Sequence, residues 1–404
     1  MELATEYTSD DGDAVTLSNS QAQPAPAPRS WRYKLTNHVK EDHGQPVYCI
    51  TYNHLDGAKK DVFASCGGRR LTIYECGPGG VIELLQAYVD AEPSEEFFTC
   101  RWTLDEETQA PVLLVAGKLG VMRVIDCHTC QPVWDGVGHG NAINDIAVHP
   151  KRPSLVITAS RDQSLRLWNL RTHVCALVAT GDGSHRNEVL SIDFHPHDEH
   201  KFLSCGMDDT IKIWSLKGAQ KDIDRSDAFV DAEPHRAFQP GELPVPEFST
   251  HKVHWDYVDC VRWLGDLVLS KSVDNRIILW MPDESSAQSI AKGRVKLVQE
   301  YKLEEANVWF VRFCLDPLCT TLACGNRNGT LLLWDPNELR SQPRARLKRP
   351  ASATRMAVRQ TAVSLDAQTI LSCCDDATIW RYDLQAADPD DNEQLEQPLD
   401  MESD

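Results

Sequence analysis

Short apolar runs closing on an aromatic or acidic residue recur along the chain: LTIYE at 71–75, VMRVID at 121–126, LRLWN at 165–169, IKIWS at 211–215, IILWM at 277–281, LLLWD at 331–335 and TIWRYD at 378–383. Each is too short for an amphipathic helix and reads as a strand. The anchors Tyr74, Asp126, Trp168, Trp214, Trp280, Trp334 and Trp380 lie 52, 42, 46, 66, 54 and 46 residues apart. Seven units near forty-odd residues predict an all-β fold of seven four-stranded sheets around a channel, a seven-bladed β-propeller.

The unit from Gly138 to Asn169 is the most regular, GHGNAINDIAVHP followed by LVITASRDQSLRLWN. It resembles a WD repeat, which implies a structural tetrad of His139, Ser160, Asp162 and Trp168 stapling the blade. His185, Asp208 and Trp214 repeat the pattern one unit on. These His and Asp residues are therefore assigned to structure rather than catalysis, because buried polar groups persist by satisfying one another. WRYKLTNHV at 31–39 precedes the first full unit and is expected to supply the outer strand of the last blade, hiding both edges. The longest gap holds an insertion at about 217–252, rich in Asp, Pro and His, expected to be a binding or contact loop.

Composition adds the boundaries. The net charge is −19, yet residues 1–28 carry five acids and residues 388–404 carry eight, with no Lys or Arg in either stretch. Segments 1–30 and 386–404 are read as disordered acidic tails around a propeller spanning 31–385. An acidic chain is a poor general binder of phosphate backbones and a better host for a basic peptide. No run of about eighteen apolar residues suggests a membrane span, and the acidic N-terminus is unlike a secretory signal. The fourteen cysteines read as reduced core residues. The single CxxC, Cys127 to Cys130, lacks a partner pair at zinc spacing and reads as a turn, so no metal or cofactor is expected.

Each unit's first strand carries a large apolar residue before its turn: Tyr52, Trp102, Val148, Phe194, Trp263, Phe313 and Val363. Four residues earlier stand Tyr48, Phe98, Asn144, Leu190, Asp259, Trp309 and Arg359. An even step keeps these on one side of their strands, at one rim of the channel. Only Leu190 suits packing. Three members are aromatic, and Phe310 adds a fourth ring, a grouping suited to a methylated ammonium.

The chain is identified as a member of the embryonic ectoderm development / extra sex combs family, the WD-repeat subunit of Polycomb repressive complex 2. The match rests on KEDHGQPVY (40–48), LLQAYVDAE (84–92), EEFFTCRW (95–102), GHGNAIND (138–145), HRNEVLS (185–191), SCGMDDTIKIW (204–214), YVDCVRWLGDLVLSKS (257–272) and CDDATIWRYD (374–383). The resemblance implies a trimethyl-lysine cage of Tyr48, Phe98 and Phe310, with Trp309 against the alkyl stem. It implies histone peptide contacts at Asn144, Arg161, Glu188, Tyr257, Asp259, Ser272, Arg312 and Arg359. Relatives commonly carry Tyr at the positions of Phe98 and Phe310; His251 stands where a basic Arg is expected, and Gln163 replaces a His.

The implied partners are a trimethylated histone tail, the N-terminal helix of the complex's methyltransferase on the opposite face, and its zinc-finger subunit; the implied place is the nucleus. Neither membrane nor sequence-specific nucleic-acid binding is expected. The chain contains no GxxxxGK[ST], GxSxG or HExxH motif, which argues against an enzyme. The alternative reading is an adaptor of another assembly, such as a ubiquitin ligase substrate receptor. Such a receptor often reads phosphate or acidic motifs through clustered cations, whereas this rim offers one Arg among aromatics and acids.

Overall fold

A computed structural model describes residues 31–55, 57–230 and 237–385. Both acidic tails, expected to be disordered, lie outside the described residues. The described strands form seven sheets, one per predicted unit. In blade 1 the order is Val47–Tyr52, Val62–Gly67, Arg70–Cys76 and Ile82–Val89, all antiparallel. Blade 7 closes as the sequence predicts: Tyr33–Lys40 pairs antiparallel with Thr378–Leu384 and supplies its outer strand. Seven apolar clusters fill the seven gaps between adjacent blades. Among the described residues no helix is long and apolar enough to cross a membrane.

The repeat's stapling network differs from expectation in one member. His139 Nε2 and Trp168 Nε1 converge on the hydroxyl of Thr158, at 2.7 and 2.8 Å, while His139 Nδ1 meets Asp162 at 2.9 Å. Ser160 instead donates to the Asn141 and Ala142 carbonyls and accepts from the Asp162 amide. The hydroxyl must lie ten residues before the Trp, across the middle of the hairpin; Ser160 lies eight before it, beside the turn. Ser204 and Ser270 fill the same place with His185–Asp208–Trp214 and His254–Asp274–Trp280, the last a set the sequence reading missed. Thr158→Val keeps the volume but orphans two buried partners, so it is expected to cost about 2–3 kcal/mol in urea denaturation. Ser160→Ala should cost about 1 kcal/mol; the reverse order would contradict this network.

The insertion is not a patternless loop. Lys217–Ala219 and helix Gln220–Asp227 pack on the outer strand of blade 3, Val174–Ala179. Gly241–Glu242 extends that blade by parallel pairing to Leu177 and Val178. Phe248–Thr250 is the outer strand of blade 4. Asp227 anchors the helix through Arg152 (2.8 Å) and Asn169 (2.8 Å). The described part of the insertion therefore covers its own propeller; residues 231–236 lie outside the described residues.

Candidate functional site: an aromatic cage at the channel mouth

The rim positions found by counting are real, but strand alternation is not what sets them. In six blades the pairing of the first two strands skips one residue, and the skipped residues are Tyr48, Phe98, Asn144, Leu190, Asp259 and Arg359. Each is a β-bulge, a device that breaks the ladder and re-aims a side chain.

Blade 6 departs. Leu315, not Phe313, pairs with Leu322, which pairs with Trp334, as Tyr52 pairs with Phe63 and Phe63 with Tyr74. The Lys118 amide bonds the Glu96 carbonyl, and the Arg327 amide bonds the Glu305 carbonyl in the matching place. From Glu96 to paired Cys100 is four steps; from Glu305 to paired Phe313 is eight. Four extra residues thus replace the simple bulge and carry Trp309 and Phe310 over the mouth. Phe310 sits at φ +65°, a conformation that costs a bulky residue and is held by its surroundings. The assignment of Phe313 and Trp309 to the equivalent register is corrected accordingly.

Tyr48, Phe98 and Phe310 enclose a cavity of about 190 Å³ together with Trp309, Val308, Asn144, Glu96 and Arg359. Their rings stand nearly perpendicular: Tyr48–Phe98 at 5.3 Å and 88°, Tyr48–Phe310 at 5.5 Å and 87°, Phe98–Phe310 at 5.9 Å and 70°. Trp309 stands edge-to-face with Phe310 at 5.8 Å and is 46% exposed. Such edge-to-face pairs are favourable and fix the ring orientations. Glu96 was not singled out from the sequence, though it directly precedes Phe97 and Phe98. Burial first, then the Glu96 charge, push the Tyr48 phenol up, so it remains neutral. The cavity thus offers π faces, the Glu96 carboxylate and Arg359, whose charge Asp375 answers, a set that favours a desolvated cation.

The proposed peptide contacts divide. Asn144 lines the cavity and donates to the Val189 carbonyl. Arg161 is exposed and paired with Glu188 at 2.6 Å, and Tyr257 is exposed. Arg359 lines the cavity, pinned by Asp375 at 2.5 and 2.8 Å and donating to the Trp309 carbonyl at 2.9 Å. Three others are misassigned as surface contacts. Asp259 is fully buried, spanned by Lys271 at 2.9 and 3.0 Å. Ser272 is buried and donates to the Asp256 carbonyl. Arg312 is buried beneath the loop, its guanidinium 4.6 Å from the Phe310 ring.

Arg312 belongs to a charge network under the mouth. Asp145 meets Arg101 at 3.0 Å, Arg312 at 3.2 Å and Arg262 at 3.8 Å. Burial alone would raise its pKa; Arg312, Arg101 and Arg262 outweigh that and hold it below the usual carboxylate range. Cys49, Cys66 and Cys100 bring three buried sulfurs within 4.8 Å of one another, but with Arg101 at 3.5 Å from Cys49 and no fourth donor among the described residues this set does not match tetrahedral zinc.

Known proteins match this chain along most of its length. The family model "WD domain, G-beta repeat" matches residues 123–169 and 174–215. Polycomb group protein FIE2 of Zea mays is 44% identical over 340 residues, covering 84% of this chain and 88% of that protein. Polycomb protein esc of Musca domestica is 39% identical over 402 residues, covering 94% and 93%. A chain in the crystal structure of the Chaetomium thermophilum polycomb repressive complex 2 shares the fold, with TM-score 0.74 and 17% identity over 87% of this chain and 98% of that one. At identities of 39–44% over more than four fifths of its length, the chain belongs to the Polycomb group family of WD-repeat proteins that includes esc and FIE.

Proposed function

We propose that this protein is a non-catalytic reader and scaffold: a WD-repeat subunit of a nuclear Polycomb repressive complex 2 that captures trimethyl-lysine on a histone tail. The observation that carries this reading is the set of three mutually perpendicular rings around a cavity of about 190 Å³, with Glu96 in its wall. A trimethylammonium cannot donate hydrogen bonds and is weakly hydrated, so aromatic faces recover its charge at little desolvation cost. Trp309, exposed beside Phe310, would cover the alkyl stem. Tyr257 remains available to the flanking residues of the peptide; Glu188 is already paired with Arg161, and Asp259 is buried. One of the solved assemblies whose fold this chain shares is a complex with a trimethylated histone H3.

The scaffold half of the proposal, contact with the methyltransferase helix and the zinc-finger subunit, is supported by family membership alone. If the occupied cage stimulates the methyltransferase, it must bind two states of that enzyme's assembly unequally. The test is a calorimetric titration of the whole chain with histone peptides that differ only at one lysine. The trimethylated peptide is expected to bind about tenfold or more tightly than the unmodified one. Equal curves would remove the cage reading and leave only the scaffold role.

A further inference from the structure

Beside the cage, on the same rim, lies a second cavity of about 420 Å³ with no carboxylate in its wall. Three cations line it, Lys348, Arg349 and Arg355, with Thr330, Thr354 and the backbone of Gly329. Arg349 is built in. Its side chain is only 5% exposed, Nη2 donates to the Met356 carbonyl at 2.7 Å, and the guanidinium lies 5.3 Å from the Trp380 ring. The turn at Gly329 packs so closely on it that a Cβ there would stand 2.7 Å from Nη2. Yet among the described residues Nη1 is buried without a hydrogen bond, its nearest carboxylate, Asp376, at 3.7 Å. Lys348 and Arg355 are exposed and form no ion pair among the described residues. Asp376 answers only Arg349, and only at 3.7 Å, so the mutual repulsion of the three cations is relieved when a local anion enters between them.

The two cavities have no lining residue in common, but one turn ties an arginine of each. Arg359 of the cage pairs with Asp375, and Arg349 of the second cavity faces Asp376, the next residue. We propose that the second cavity binds a phosphoryl dianion on the same peptide whose methylated lysine enters the cage. This rests on the reader function proposed above. The surroundings favour a single compact anion over a nucleic-acid backbone. Neighbouring cations are already consumed: Arg327 by Glu305, Arg346 by Glu304 and Arg359 by Asp375. A polyanion laid across the rim would meet those carboxylates, whereas a phosphoserine or phosphothreonine side chain can enter between them. Arg-lined pockets recognise phosphorylated peptides in this way, with charge-assisted hydrogen bonds about twice as strong as neutral ones.

The experiment uses the full chain and fluorescent histone-like peptides, read by anisotropy. One set carries trimethyl-lysine alone; a second adds one phosphoserine, placed at each position from two to six residues to either side. Phosphorylation at one or two spacings is expected to tighten binding about tenfold. That gain should shrink as pH falls through about 6, where the phosphoryl group loses its second charge. Lys348→Ala/Arg355→Ala should erase the gain while leaving the unphosphorylated trimethyl-lysine peptide within about twofold of its original affinity, because neither residue lines the cage. No tightening at any spacing, or a gain that survives the double variant, overturns the proposal. So does binding of a random DNA duplex that the double variant abolishes without any phosphopeptide gain. Failure of the cage itself would show separately, as equal affinities of trimethylated and unmodified peptides lacking phosphate.

Discussion

Phe98→Ala is expected to lower affinity for a trimethyl-lysine histone peptide at least tenfold and to bring its preference over the unmodified peptide close to one. Phe98 makes edge-to-face contacts with both Tyr48 and Phe310, so its loss removes one π face and the packing that orients the other two. A desolvated cation–π contact contributes about 2 kcal/mol and an aromatic pair about 0.5–1.5 kcal/mol. Because Phe98 is a partly exposed bulge residue, its truncation should lower the melting temperature by no more than a few degrees. That separates the effect from unfolding. The companion change Phe98→Tyr keeps the ring and adds electron density, so binding should be retained or rise slightly. An equal loss for both peptides with Phe98→Ala would mean that the ring meets the peptide chain rather than the methylammonium.

Much of this site was legible in the sequence for reasons that the fold only partly supports. The seven anchors were visible because each blade repeats one hairpin register, although in two units the true register residue is a neighbour: Ile125 rather than Asp126 stands opposite Leu113, and Tyr382 rather than Trp380 opposite Ile370. Counting back four residues reached the rim because a bulge recurs there, not because side chains alternate. It failed in blade 6, where four extra residues shift the register and only the aromatic rings of Trp309 and Phe310 marked the mouth. Burial was the harder property. Asp259 reads as an acid at the rim, and nothing local reveals that Lys271, twelve residues on, crosses the hairpin to neutralise it. The hydroxyl of the tetrad was missed for a similar reason, since Thr158 and Ser160 differ only by their position across the hairpin.

The network beneath the mouth carries the largest expected loss of stability. Asp145 is fully buried, faces three guanidinium groups, and accepts from Thr99, Ser191 and the Ile146 and Ile192 amides. Asp145→Asn keeps the shape but removes the carboxylate shared by Arg101, Arg262 and Arg312, leaving Asp193 to answer Arg262 and Arg101. Removing one side of such a buried ion cluster costs about 3–5 kcal/mol, a large part of a domain's usual 5–15 kcal/mol. Urea denaturation followed by tryptophan fluorescence should show that loss. Arg312→Met should cost less, because Asp145 keeps Arg101 and Arg262. It should nonetheless weaken peptide binding, since the Arg312 guanidinium supports Phe310 and donates to the Asn144 and Leu190 carbonyls. In the double variant one unpaired guanidinium disappears together with the lost carboxylate, so the two costs should sum to less than their separate values by about 1 kcal/mol or more. Strict additivity would show that Arg312 and Asp145 act independently, and that the mouth's aromatic floor does not depend on the charge beneath it.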